Sequence, residues 1–333
     1  IHARACKLKC EKILTRPSEV ETFGIDESWI ELTGSPLLKE RTPHEIADEI
    51  RNTVKSEVGL TVSIGISFNK IFAKLGSDMK KPDAVTEIGR DTFRDQVWPL
   101  PVSDLLYVGR ATAEKLGRYC IRTIGDLANT ERDILRSLLG INGEKIWAYA
   151  NGLDASRVMP CDYTPPIKSI GHGITCTADL VSESEVRGVF LELSQDIGLK
   201  LRKQGLAANG VRITVRDNTL SHRQYQCKLP FPTQSYLEIY DAGIDMFHRR
   251  YSWSNNIRSL TISAIDLISA DTPVQLDLWT DMSKHKRRIR LEETIEDIRR
   301  RFGLHAINFA AAGSMKIPVQ SDIEYKMPSV MYQ

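Results

Sequence analysis

The sequence predicts an α+β chain of several domains, on three observations. At 333 residues it exceeds the roughly 250 to 300 residues at which a single hydrophobic core stops growing. β-prone and amphipathic helical segments alternate in residues 1–90 and again in 168–270, whereas residues 91–157 read as short helices punctuated by glycine. Hydrophobic residues make up 41% and charged residues 26%, a globular balance, and no apolar run approaches the roughly 18 residues of a membrane-spanning helix. No signal peptide is recognisable at the N-terminus. The six cysteines lack CxxC pairs and histidines at zinc spacing, which favours reduced thiols in a cytoplasm over disulfides or a zinc site.

In residues 1–90, Val20, Phe23, Ile25, Trp29, Ile30 and Leu32 alternate loosely around Gly24 and predict two strands joined near Gly24–Glu27. "TPHE" announces a helix, with Thr42 as N-cap, Pro43 at the first helical position and Glu45 closing a capping box. Ile46, Ile50, Val54 and Val58 repeat every fourth residue, and Gly59 ends the run. "LTVSIGIS" predicts a strand with Val62, Ile64 and Ile66 on one face. Ser67 or Asn69 can cap the next helix, "NKIFAKLGSDMKK", which Pro82 stops. Hairpin, helix, strand, helix is the order of an antiparallel or mixed sheet with helices on one face.

Two glycine turns organise residues 91–157. "VGRATAEKL" places a Val108-Gly109 turn before a helix starting around Thr112, and "LGINGEKIW" repeats the theme with Gly140 and Gly143. Such a turn exposes unpaired backbone N–H groups that can hold a phosphate without reading a base. Val108, Gly109, Thr112 and Lys115 are therefore candidates for sequence-independent duplex binding, against the alternative of a plain α-hairpin bundle. "VMPCDYTPPI", residues 158–167, is a proline-rich linker.

Beyond it, helices near Ser182–Gln204 and Ser235–Tyr251 alternate with the strands "GVRITVRD", "HRQYQCKL" and "IRSLTISAIDLI". Arg212, Thr214 and Arg216 point one way and Val211, Ile213 and Val215 the other, so one face is core and the opposite face cationic. Residues 271–333 hold the extended "TPVQLDLWTD" and a basic tail with a helix over Leu291–Phe302. The net charge of +2 hides two basic blocks: seven cations against Asp217 alone between Lys200 and Lys228, and "KHKRRIR" at 284–290. Each is either a solvated face or a contact for a polyanion.

Asp26 and Glu27 are adjacent, so they converge on one ion only where the strand turns or ends, which Gly24 permits. Alone they read as solvated acids at a hairpin tip. Downstream, however, Lys70, Lys74 and Lys81 fall on one face of a helix whose other face carries Ile71, Phe72, Leu75 and Met79. Carboxylates hold Mg²⁺ and leave positions for phosphate oxygens, which ammonium groups neutralise. That combination is what two-metal phosphoryl transfer requires.

"FGIDESWIEL" followed by "TVSIGISFNKIFAKLGSDMKKPDA" resembles the palm of the Y-family translesion DNA polymerases, the group that includes the ImpB/MucB/SamB-type proteins, and the resemblance runs to about residue 279. It implies a partial palm over 1–90 with a mixed sheet and helices, an all-α thumb of tandem helix-hairpin-helix elements over 91–157, and an α+β little finger over 168–270. The family's metal-binding Asp-Glu dipeptide falls on Asp26 and Glu27, and its triphosphate-contacting lysine, in the pattern D-M-x-K-P, on Lys81, with Lys74 second. Backbone contacts to primer-template DNA fall on Lys168, Ser169, Gly171, Arg212 and Arg216 besides the thumb turns. "QLDLW" resembles the pentapeptide that docks such polymerases on the bacterial sliding clamp, through Gln275, Leu276, Leu278 and Trp279; an edge strand is its alternative.

The family opens with a strand carrying a further metal-binding aspartate and nearby aromatics, then a fingers domain. "IHARACKLKCEKILTRPSEV" has no D-x-x-x-F/Y-F/Y segment, so that strand and most of the fingers are expected to be missing. The Mg²⁺ pair then lacks its third carboxylate and binds poorly. The resemblance implies template-directed nucleotidyl transfer from dNTPs past lesions, and for this chain as given it implies DNA binding without extension. A DNA- and clamp-binding module is the rival from another class; a palm-type nucleotidyl cyclase is a third, against which the tandem hairpins count.

Overall fold

The computed structural model describes residues 20–24, 26–273, 282–303 and 306–307. β1 (Val20–Phe23) and β2 (Glu27–Ile30) pair antiparallel, with Phe23 opposite Glu27 and Glu21 opposite Trp29. Gly24, at φ 73°, makes the turn between them, in the left-handed region that glycine enters without penalty. α1 (Pro43–Val58) carries the expected capping box, with the Thr42 hydroxyl accepting from the Glu45 N–H and the Glu45 carboxylate from the Thr42 N–H, and ends at left-handed Gly59. Its buried Ile46, Ile50 and Val54 pack against Ile30, Leu32, Val62 and Ile64.

β3 is shorter than expected, Ile64–Ser67, and pairs in parallel with β4 (Val85–Ile88). Between them α2 (Lys70–Met79) starts at Asn69, whose side-chain oxygen accepts from the Phe72 N–H. Gly65 lets β3 and α2 meet: a Cβ there would lie 1.9 Å from the Ala73 carbonyl oxygen. In place of the one mixed sheet expected, the described residues form two two-stranded sheets, β1–β2 and β3–β4. The reason lies in α1, whose apolar stripe contacts residues of both and joins them by side-chain packing rather than by a ladder.

Five short helices follow: α3 (Phe93–Val97), α4 (Arg110–Gly117), α5 (Ile124–Asn129), α6 (Arg132–Leu139) and α7 (Ile141–Ala150). Their core is continuous with α2, where Ile71, Phe72 and Leu75 join Val97, Leu116, Leu127, Leu135 and Ile146. The chain divides into two units at Pro165 and Pro166, and everything named so far belongs to the first.

The second unit is a four-stranded antiparallel sheet in the order β5-β8-β6-β7, built from β5 (Ser169–Leu180), β6 (Leu206–Asp217), β7 (His222–Thr233) and β8 (Ile257–Ser269). Two helices, α8 (Glu183–Gln204) and α9 (Tyr236–Arg250), pack on its apolar face, where Val211, Ile213, Leu260 and Ile262 are buried with Phe190, Ile197 and Phe247. α10 spans Met282–Phe302, starting well before Leu291. It absorbs "KHKRRIR", and part of that block is no solvated face: His285 pairs with Glu238 at 2.9 Å and Arg288 with Asp241 at 2.8 Å, both acids lying on α9. Glu292 is 1% exposed and accepts from the Ser235 hydroxyl and the N–H groups of Tyr236 and Leu237, closing the start of α9, while Arg202 of α8 reaches both Glu292 and Glu296.

Candidate functional site

Cross-strand pairing puts Glu21, Phe23, Glu27 and Trp29 on one face of the β1–β2 hairpin. Lys70 and Lys74, one turn apart on α2, meet that face. The Lys70 ammonium donates to both Glu21 oxygens at 2.8 Å and lies 4.3 Å from the Trp29 ring centre, and the Trp29 indole N–H donates to the Lys70 carbonyl at 3.0 Å. Glu21 also accepts from the Met159 N–H at 2.7 Å. The hairpin is thus clasped to α2 at its base.

At the tip, Lys74 Nζ lies 3.0 Å from Glu27 and 2.7 Å from Asp78, and Lys81 Nζ lies 2.7 Å from the other Asp78 oxygen. The result is a row of alternating charge, Glu27, Lys74, Asp78, Lys81. Burial works against the Lys74 ammonium, but Asp78 and Glu27 outweigh it and hold its pKa above the ordinary lysine value. Burial likewise pushes against the Asp78 carboxylate, and the two lysines hold its pKa below the ordinary value. Asp26 sits exposed in the turn directly before β2. Asp26, Glu27, Lys74 and Lys81 all line one cleft of about 980 Å³, together with Ser77 and Arg90, a volume in the range of small-molecule sites.

Adjacent carboxylates at a strand end supply the hard oxygen donors that Mg²⁺ takes, so the donor chemistry of Asp26 and Glu27 fits that ion. Among the described residues no third Asp, Glu, His or Cys completes a metal-holding group with them. Sequence reasoning missed Asp78 and Glu21. The i,i+4 spacing from Lys74 could have found the first; nothing local marks the second, whose partner is 49 residues away.

The two glycine turns start helices α4 at Gly109 and α7 at Gly140, neither with a side-chain cap, so their first N–H groups are not taken by a capping side chain. Thr112 is partly exposed, but the Val108 side chain is buried, leaving only its backbone to face a ligand. Lys115 donates to the Leu138 carbonyl at 2.5 Å, tying α4 to α6.

In the second unit the sheet face away from α8 and α9 carries polar rows set by register: Gly171, Ser263, Arg212, Gln226 and, two steps on, Thr175, Ser259, Arg216, His222. Arg212 lies 3.5 Å from the Gln226 side chain, and Arg216 donates to the Leu220 carbonyl. Lys168 and Ser169 are exposed where β5 begins. Ser259, Ser263 and Gln226 were not legible beforehand, because alternation assigns a residue to a face but not to a cross-strand neighbour. Gln275, Leu276, Leu278 and Trp279 lie outside the described residues.

Comparison with known proteins identifies the family. The impB/mucB/samB family matches residues 3–78, and the impB/mucB/samB family C-terminal domain matches residues 167–278. The chain is 41% identical over 288 residues to the DNA polymerase IV of Acetivibrio thermocellus, across 86% of this chain and 72% of that one. It is 33% identical over 292 residues to the DNA polymerase IV of Clostridium kluyveri, across 85% and 72%. Among solved structures a Y-family DNA polymerase chimera is similar in fold, with a TM-score of 0.65 at 17% identity over 80% of this chain and 76% of that one. Among the described residues no helix is long and apolar enough to cross a membrane. The chain belongs to the impB/mucB/samB family of Y-family DNA polymerases.

Proposed function

We propose that the chain is a translesion DNA polymerase whose metal-binding carboxylates are Asp26 and Glu27 and whose triphosphate lysine is Lys81. The observation that carries this is the placement of the acid pair and the lysines along one cleft. Residues 1–90 then serve as palm, 91–157 as thumb and 168–270 as little finger. The primer 3′-hydroxyl attacks the α-phosphate of a dNTP paired to the template, and pyrophosphate leaves. Mg²⁺, when bound by Asp26 and Glu27, would stabilise the charge that builds on the reacting phosphate. Lys81 steadies the triphosphate, and Lys74, already held by Glu27 and Asp78, is the weaker candidate for that role.

The uncapped starts of α4 and α7, with Gly109, Thr112 and Lys115, hold the duplex backbone, and Lys168, Ser169, Gly171, Arg212 and Arg216 are further contacts to it. These are positioning contacts without base readout. Gln275, Leu276, Leu278 and Trp279 dock on the bacterial sliding clamp.

Primer extension with Mg²⁺, dNTPs and clamp-loaded primer-template tests the reading. The expected result is incorporation that Asp26→Ala abolishes while duplex affinity is retained, and clamp stimulation that Trp279→Ala removes. A second reading, a DNA-binding module without catalysis, is favoured by the absence of a third carboxylate among the described residues. Duplex binding by the unaltered chain with no incorporation would establish it in place of the first.

A further inference from the structure

We propose that Asp78 is a built-in competitor for the triphosphate, holding Lys81 in the nucleotide-free protein and yielding it only to a highly charged anion. This rests on the reading of Lys81 as the triphosphate lysine. Among the described residues Asp78 is the one carboxylate shared by Lys74 and Lys81, at 2.7 Å from each, and the two contacts are unlike. Lys74 is 15% exposed and sits between two carboxylates, Glu27 and Asp78. Lys81 is 58% exposed and lies beyond the end of α2 at Met79. The Lys74 contacts are therefore the fixed part of the row, and the Lys81–Asp78 contact is the exchangeable part.

An exposed ion pair of this kind is weak, so a polyphosphate, which brings several negative charges to Lys81 at once, displaces Asp78 from it. A single phosphate or carboxylate gains much less from the same exchange. After the exchange Asp78 remains against Lys74, still ionised, since the lysine beside it favours the charged form. Asp78 thus sets a threshold: it keeps Lys81 from collecting small anions and leaves it to the triphosphate.

Calorimetric titration of inorganic tripolyphosphate into the whole chain tests this with four variants. Asp78→Asn is expected to bind about fivefold more tightly than the unaltered chain, the ratio that the upper end of an exposed pair's strength corresponds to. Asp78→Glu, which keeps the charge, is expected to bind as the unaltered chain does, and Lys81→Ala more weakly. Asp78→Asn with Lys81→Ala is expected to match Lys81→Ala alone. If Asp78→Asn binds no more tightly while Lys81→Ala still weakens binding, the inference falls and the Lys81 reading stands. An equal gain from Asp78→Asn in the Lys81→Ala background would also overturn the inference, because the effect would then not pass through Lys81. Unchanged affinity in Lys81→Ala would overturn the Lys81 reading itself.

Discussion

Lys70 fixes where the acid pair stands, because its ammonium is the point at which β1, β2 and the segment after α7 meet. It is 14% exposed and its partner Glu21 is 19% exposed. Lys70→Met leaves the Glu21 carboxylate, among the described residues, with only the Met159 N–H as a donor. Removing one partner of a largely buried pair strands the other charge, and a loss of about 2 to 3 kcal/mol in unfolding free energy is expected. Glu21→Gln together with Lys70→Met is expected to recover part of it, since no charge is then stranded. Urea denaturation of the three proteins checks this, and a single-variant loss below about 0.5 kcal/mol, the size of an exposed pair, would show that the clasp does not hold the hairpin. At this scale the sequence was half legible. Adjacency exposed Asp26 and Glu27, and i,i+4 spacing put Lys70 and Lys74 on one face, but spacing within an element is silent on which foreign side chain that face will meet.

Elements announced by their own ends are legible in the sequence. α1 carries its start in Thr42, Pro43 and Glu45 and its stop in Gly59, all local signals. α10 starts at Met282, nine residues before the expected Leu291: its first turns are cationic, and a run of cations looks solvated in sequence alone; its acids, Glu238 and Asp241, lie on α9, far away in sequence. The anchor of α10 is Glu292, whose burial pushes its carboxyl above the ordinary glutamate value of 4.5, against the pull of Ser235, Leu237, Tyr236 and Arg202. A raised pKa in the folded state means that folding favours the protonated form. The contribution of this residue is therefore fully present below pH 4.5 and is lost as pH rises through the higher folded value. Glu292→Gln, which stays neutral, is expected to flatten that part of the pH dependence of stability. Urea midpoints of both proteins measured from pH 4 upward decide the matter, and parallel curves would remove Glu292 as the source.

At the scale of the whole molecule, the β6 register sets out the sheet face that the proposed function assigns to the duplex backbone. The row Gly171, Ser263, Arg212, Gln226 and the row Thr175, Ser259, Arg216, His222 present cations and polar groups on one sheet face, the chemistry of a phosphate backbone contact. Alternation along "VRITVRD" made this face legible before any fold was known, because buried Val211, Ile213 and Val215 oblige their neighbours to point outward. What alternation could not supply was the order β5-β8-β6-β7, which puts Arg212 and Arg216 on an inner strand rather than on an edge strand. Each cation that neutralises a phosphate releases counterions and adds about 0.9 to the slope of log affinity against log salt. Arg212→Ala with Arg216→Ala is accordingly expected to lower that slope by nearly 2 and to weaken binding equally for duplexes of unrelated sequence. Fluorescence anisotropy with labelled primer-template across a salt series measures both. A slope unchanged from that of the unaltered chain would place the duplex elsewhere on the second unit, and a loss confined to one sequence would turn a backbone contact into base readout.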